Sequence, residues 1–446
     1  MGKFTFAHCA IAPLCRCSVF ITFATSKPVF MKVLYNVGIL IYSALAYLIA
    51  PINSRALLWI KGRKKWAEKI AIKIKPGDRV IWVHCASLGE FEQGRPVIDE
   101  IRKEMPLHKI VLTFFSPSGY EIRKNYDKAD CISYLPSDTP SNALKFIELI
   151  KPEFVIFVKY EFWNNYISAL YRKKIPLYLI SGIFRPGQLF FKWYGAFFRE
   201  MLRKFEIIFV QNQSSFDLLS GIGINKVSLA GDTRFDRVVQ ITTSVRSIDQ
   251  IEQFRGEEKL FLAGSSWRPD EEIIAHYINQ FPLKMKWVFA PHEIDKANIE
   301  RLEKLFKVKC VRFSEFNEES VDARVLIIDN IGMLSSAYRY AYIAAIGGGF
   351  GKGIHNVLEP ACWGIPVIFG PKHENFREAV DLLNSGGAKS FRTYDEFKEL
   401  LNLWLSNEKI YTNSAQTASK YVKENAGATE IIIKEISQKD INRQVL

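Results

Sequence analysis

From residue 78 onward the chain repeats short, almost wholly apolar runs separated by segments with helical spacing. Arg79-Val-Ile-Trp-Val-His84, Lys109-Ile-Val-Leu-Thr-Phe-Phe115, Phe154-Val-Ile-Phe-Val158, Leu177-Tyr-Leu-Ile180 and Ile207-Ile-Phe-Val210 read as strands, with helices at 91–103, 118–125, 142–150 and 163–173. Strands that are apolar on both sides and joined by helices form a parallel sheet covered on both faces. A second series begins at Leu260-Phe-Leu-Ala263, continues through Trp287-Val-Phe-Ala290, 308–311, Val325-Leu-Ile-Ile328 and 342–346, and ends near Pro366-Val-Ile-Phe369. Residues 232–258 are polar, lack a long apolar run and are expected to be an interdomain linker. A chain of 446 residues exceeds one ordinary core. The expected architecture is α/β: two Rossmann-like halves facing a cleft, the N-terminal one at 53–235 and the C-terminal one at 236–446 with a terminal helix.

Ligands of such sheets bind beyond the carboxyl ends of the strands. The glycine-rich stretch Gly347-Gly-Gly-Phe-Gly-Lys-Gly353 follows the apolar run ending at Ile346 and leads into Asn356-Val-Leu-Glu-Pro-Ala-Cys-Trp363, read as a helix start. Strand, glycine loop and helix turn bare N–H groups and a positive helix end toward an anion, and Lys352 adds a charge; a tight turn without ligand is the alternative. After the first strand, Ser87-Leu-Gly-Glu90 puts Glu90 at a helix N-terminus, where it acts as a general base or merely complements the helix dipole. Glu161 follows another strand and either binds a sugar hydroxyl or caps the next helix. Arg185, also after a strand, suits a carboxylate or phosphate, or is a solvated surface residue. Capping explains Ser265 and Ser266 without a ligand. His292 meets a phosphate or packs between domains.

The balance of 60 Lys and Arg against 47 Asp and Glu leaves a net charge of +13, which calls for an anionic partner. Residues 33–50 carry no charge and are flanked by Tyr35, Tyr47, Trp59 and Trp66, with Lys61, Arg63, Lys64 and Lys65 following. Aromatic flanks and a basic C-terminal side predict a membrane anchor at 31–52, spanning or embedded, whose following domain stays cytoplasmic. Residues 1–30 do not fit this plan and are expected to be a misannotated extension, with translation starting at Met31. Of the seven cysteines, Cys9, Cys15 and Cys17 fall in that extension; the other four, Cys85, Cys131, Cys310 and Cys362, are scattered without metal-type pairing and read as thiols of a reducing compartment. Nucleic-acid binding is disfavoured, because the basic residues cluster beside an apolar anchor.

Trp82-Val-His84 with Ser87-Leu-Gly-Glu90, Glu161-Phe-Trp-Asn164, Gly231-Asp-Thr-Arg-Phe-Asp236, Gly264-Ser-Ser266, Gly347-Gly-Gly349 with His355-Asn-Val-Leu-Glu-Pro-Ala361, and Gly370-Pro-Lys-His373 with Asn375-Phe-Arg377 occur in that order. Together they resemble the Kdo transferases of lipopolysaccharide synthesis, glycosyltransferase family 30. Leu34-Tyr-Asn36 and Gly62-Arg-Lys64 resemble the family's opening. The resemblance covers nearly the whole chain from Met31. It implies a GT-B glycosyltransferase at the cytoplasmic face of the inner membrane that moves 3-deoxy-D-manno-octulosonate (Kdo) from CMP-Kdo to a lipid A precursor. Glu90 falls at the position of the family's base. Gly347, Gly348, Gly349, Asn356 and Glu359 fall where the family holds CMP.

There are departures from the family pattern. Pro291-His-Glu293 lacks the family's Arg, Ser265-Ser-Trp267 stands for Ser-Thr-His, and Phe350-Gly-Lys-Gly353 is an unusual loop, in which Lys352 is expected to supply the missing charge. Ser265, His292 and Arg185 complete the expected donor contacts, and Glu161 is the expected acceptor contact. Direct displacement with inversion is expected, with no metal and no cofactor. The rival readings are a GT-B enzyme or epimerase for a UDP-sugar, and a non-catalytic membrane-surface scaffold.

Overall fold

The computed structural model describes residues 15–243, 247–281 and 285–444. Residues 1–14 of the expected extension lie outside the described residues. The chain divides into two compact units, one running to Gly231 and regaining the chain from Thr429, the other covering Asp232–Ala428.

The first unit holds β1 (Val80–Cys85), β2 (Lys109–Phe114), β3 (Cys131–Tyr134), β4 (Pro152–Val158), β5 (Leu177–Gly182), β6 (Ile207–Val210) and β7 (Val227–Leu229). They form one seven-stranded sheet in the order β3-β2-β1-β4-β5-β6-β7, with parallel pairings throughout. Alternation along β1 sends Val80 and Trp82 into the core under one face and Ile81 and Val83 into the core under the other. A strand buried on both faces is expected to be nearly continuous in apolar residues, and β1 is so from Val80 to Val83, before the hydrogen-bonded His84. Between β1 and β4 the winding reverses direction, so the turns leaving these two strands diverge and open a crevice at their carboxyl ends.

The second unit repeats the plan with β8 (Leu260–Ser266), β9 (Lys286–Pro291), β10 (Cys310–Arg312), β11 (Val325–Ile327), β12 (Ile343–Ile346), β13 (Val367–Phe369) and β14 (Ala388–Ser390). Their order is β10-β11-β9-β8-β12-β13-β14, again parallel, and the winding reverses between β8 and β12.

Three expectations are corrected. Residues 232–258 are not a linker: helices Thr233–Thr243 and Asp249–Arg255 place Phe235, Val238, Ile251 and Phe254 in the second unit's core. These apolar residues stand three apart among charged ones, so no run betrays them. The terminal helix Ala428–Gln444 belongs to the first unit, where Ile432, Ile433 and Ile436 join its core and Ser228 donates to Glu435 at 2.5 Å. Strands β3, β7 and β14 also went unpredicted, since each is a three- or four-residue edge strand too short to show an apolar run.

Helix Cys15–Ile49 includes a segment, Phe30–Ile49, long and apolar enough to cross a membrane by length and composition. Tyr35, Asn36, Ile39, Ser43 and Ala46 are partly covered and Ala50 is buried, whereas Val33, Leu34, Val37, Leu40, Ile41, Leu45 and Leu48 are exposed. Helical spacing thus divides the segment into a face laid on the first unit and a face turned outward.

Because Ile432 is fully buried on the first sheet, Ile432→Ala should lower stability by about 2–4 kcal/mol. Denaturant unfolding followed by a first-unit probe checks this, and an unchanged midpoint would detach the terminal helix from that core.

Candidate active site

In the first unit Ser87 caps helix Leu88–Glu104, its Oγ accepting from the Gly89 amide at 3.3 Å and donating to the Glu90 carboxylate. Glu90 is therefore held by its own turn at the carboxyl end of β1, half-exposed, in the first turn of the helix. From β4 the chain enters a turn with Lys159 in the left-handed region, then Tyr160 and Glu161. Burial pushes the Tyr160 phenol up, Arg185 pulls it down and Glu90 raises it further. Tyr160 thus lies within electrostatic reach of both Arg185 and Glu90. Arg185 is exposed and stands in the first unit; the glycine loop, expected to share the donor with it, stands in the second.

Glu161 is placed differently from a sugar ligand. It is buried, and its Oε2 accepts from His84 Nε2 at 2.8 Å and from Trp163 Nε1 at 2.6 Å. His84 Nδ1 in turn meets the Thr113 hydroxyl at 2.8 Å, which also takes the Trp82 indole N–H at 2.8 Å. This buried relay fixes the two turns at the β1/β4 reversal. Asp138, buried after β3, accepts from the Asn165 and Tyr166 amides at 3.0 Å each and from the Tyr35 hydroxyl at 2.6 Å. Burial pushes its carboxyl up to about 6 against these bonds, which favour the charged form.

In the second unit the glycines of the loop after β12 are required by packing. A Cβ on Gly347 would lie 2.1 Å from the Ser265 carbonyl oxygen, and one on Gly349 2.6 Å from Gly370 Cα. Gly348 has φ +95° and its amide donates to Asp270 Oδ2 at 3.0 Å. One N–H expected for a ligand is therefore engaged by the protein's own carboxylate, which also accepts from the Trp267 amide at 3.1 Å. Lys352 is exposed at the turn of the loop. The Asn356 side chain donates to Glu359 at 3.0 Å, and Glu359 also accepts from the Ser335 hydroxyl at 2.7 Å. The helix expected from Asn356 is the short Leu358–Cys362.

Ser265 sits with φ +51° at the end of β8, while Ser266 turns inward and donates to Glu271 at 2.9 Å. Neither serine caps the next helix; Trp267 is its N-cap residue and Asp270 accepts from it. Trp267 stacks on His292 with ring centres 4.6 Å apart, His292 stacks on His355 at 4.6 Å, and the Trp267 indole donates to His355 Nε2 at 3.1 Å. Burial, then His292, lowers the His355 pKa. Trp267, a departure from the family pattern, is thus in contact with His292, and the ring ladder joins β8, β9 and the glycine loop. Sequence reading passed over Trp267, Asp270 and His355 as site residues. The signal available was the Ser-Ser-Trp departure and the His of His355-Asn-Val-Leu-Glu-Pro360.

Gly231-Asp-Thr-Arg-Phe-Asp236 has a packing role: Arg234 donates to Asp232 and Glu378, each at 2.8 Å, and Asp236 accepts from the Gly427 amide at 2.5 Å. Among the described residues no cluster of three or more His, Cys, Asp or Glu side chains is arranged for a metal.

Two parallel α/β units with reversal points at β1/β4 and β8/β12, each lined by polar turns, define a GT-B glycosyltransferase fold. Solved structures agree on the fold: UDP-GlcNAc 2-epimerase from Neisseria meningitidis bound to UDP-GlcNAc (TM-score 0.57, 19% identity, 81% of this chain and all of that one) and MurG from Acinetobacter baumannii (TM-score 0.51, 14% identity, 81% and 99%). The family model for 3-deoxy-D-manno-octulosonic-acid transferase (kdotransferase) matches residues 64–237. A 3-deoxy-D-manno-octulosonic acid transferase of Aquifex aeolicus is 30% identical over 332 residues, 73% of this chain and 85% of that protein; one of Haemophilus influenzae is 25% identical over 376, 80% and 86%. The chain belongs to the Kdo transferase family and is a glycosyltransferase.

Burial raises the Asp270 carboxyl from 3.8 to about 6. Between those values the folded protein holds a proton that the unfolded chain has lost, so this group's contribution to stability falls as pH rises through the window and is constant above it. Asp270→Asn should therefore reduce the loss of melting temperature between about pH 4 and 7 relative to the unaltered protein. An identical pH profile in the variant would contradict a proton on Asp270.

Proposed function

We propose that this enzyme transfers Kdo from CMP-Kdo to a lipid A precursor in lipopolysaccharide synthesis, by direct displacement with inversion and with no step assigned to a metal. The observation that carries the reading is Glu90, held by Ser87 at the carboxyl end of β1 beside the β1/β4 reversal, in a chain that belongs to the Kdo transferase family. The acceptor hydroxyl attacks C2 of Kdo, Glu90 takes its proton, and the C2–O bond breaks with its electron pair leaving on the CMP phosphate. Tyr160, which feels both Glu90 and Arg185, and Arg185 itself are contacts for an anionic group at this centre. His84, Glu161 and Thr113 act through the backbone of the two turns, which supports a positioning role for Glu161 in place of the acceptor contact expected from sequence.

The second unit holds the donor in this reading. Gly347, Gly348 and Gly349 bring backbone close to the phosphate, with Lys352 supplying charge and the Asn356–Glu359 pair accepting ribose hydroxyls. Ser265, His292, His355 and Trp267 form the neighbouring wall. Asp270 holds the loop in shape rather than meeting the donor.

The outward face of Phe30–Ile49, the exposed Lys61, Lys64 and Lys65 and the exposed Trp193 and Tyr194 support seating on an anionic membrane at its cytoplasmic face. The inner face of that segment is laid on the first unit from Tyr35 to Ala50, a span of about 22 Å at helical rise. Such packing favours a helix embedded in one leaflet over one surrounded by lipid across the bilayer.

Glu90→Gln should lower transfer by about a hundredfold or more while CMP binding, read by calorimetry, is retained. Turnover close to that of the unaltered enzyme would remove Glu90 from the base role. Lys352→Ala should raise KM for CMP-Kdo about tenfold at unchanged acceptor KM, and an unchanged donor KM would exclude its phosphate contact.

A further inference from the structure

The inner face of the Phe30–Ile49 segment makes specific polar contacts with the acceptor-side turns. The Tyr35 hydroxyl donates to Asp138 at 2.6 Å and accepts from the Asn164 amide at 3.2 Å, while Asn36 accepts from the Asn165 side chain at 2.8 Å. Asp138 meanwhile takes the Asn165 and Tyr166 amides. The first three N–H groups of helix Asn164–Arg172 are thus satisfied by one buried carboxylate and one hydroxyl from the apolar segment. A second route runs through rings: Tyr42 lies 6.0 Å from Phe115, Phe115 stacks on Trp163 at 4.8 Å, and Trp163 donates to Glu161. Both routes end at the turn leaving β4, beside the reversal point and tied through His84 to β1.

We propose that Tyr35 is a positioning residue, so that the helix which seats the enzyme on lipid also sets the acceptor-side turn at residues 159–166. An anchor that only tethers needs no polar side chains aimed at buried groups of the folded unit. Deleting the Tyr35 oxygen leaves the Asn164 amide without its acceptor and takes from the buried Asp138 carboxylate one of its three donors. Loss of the helix contact therefore loosens the turn even where no membrane is involved. This inference rests on the reading of the first unit as the acceptor side.

The test compares the full chain in nanodiscs with Tyr35→Phe and with Leu48→Gln, a change on the outward face. Hydrogen exchange of the ligand-free protein should be faster in Tyr35→Phe at residues 164–166 and unchanged in the rest of the first unit. With CMP-Kdo and a deacylated, water-soluble acceptor, Tyr35→Phe should raise acceptor KM about tenfold at unchanged donor KM. Leu48→Gln should match the unaltered protein in both readouts and lose only binding to anionic vesicles. Unaltered exchange at 164–166, an unchanged acceptor KM, or a general rise in exchange with both KM values moving together would each overturn the proposal. The exchange arm uses no substrate, so it decides the structural link even if Kdo transfer itself were absent.

Discussion

A parallel strand cannot be joined to its neighbour by a hairpin; each connection must cross the sheet, and most of this molecule follows from that constraint. Crossovers bury both faces of each sheet, which is why the inner strands carry apolar stretches such as Val80-Ile-Trp-Val83, Phe154-Val-Ile-Phe-Val158 and Leu260-Phe-Leu-Ala263. They also deliver every turn that leaves a strand to the same edge. Where the winding reverses, at β1/β4 and β8/β12, neighbouring turns part and leave polar groups without a covering helix. Glu90 and Tyr160 lie at the first reversal, Ser265 and the three glycines at the second.

The inner strands were legible in the sequence because burial on both sides forces an unmistakable pattern. Elements that escaped it obey weaker demands. The strands β3, β7 and β14 lie at sheet edges, and the helices over residues 233–255 need only one apolar residue per turn. The terminal helix was legible as a helix, but its membership was not, since nothing local to Ile432, Ile433 and Ile436 names the sheet they cover.

The site shows the same division. Position at a strand end was readable for Glu90, Arg185, Ser265, His292 and the glycine loop; partnership was not. Glu161 looks like a free carboxylate until His84 and Trp163 are seen to occupy it. The glycines look like a cradle for phosphate, yet Ser265, Gly370 and Asp270 already demand them. Those demands do not remove a ligand from the loop; they build the close backbone approach that a phosphate would use. Asn36 and Ser43, which weaken the apolar segment as a span, lie on its inner face, where packing on the first unit accounts for them.

The central claim is a chemical one, that Kdo passes in a single displacement from CMP-Kdo to a lipid A precursor. The measurement that tests it most directly is mass spectrometric and NMR analysis of the product formed by the full-length enzyme from CMP-Kdo and that precursor. The account predicts a Kdo-bearing glycolipid with the anomeric configuration opposite to that of the donor, and release of CMP. Recovery of an unmodified acceptor, or of a product that keeps the donor's configuration, would contradict it.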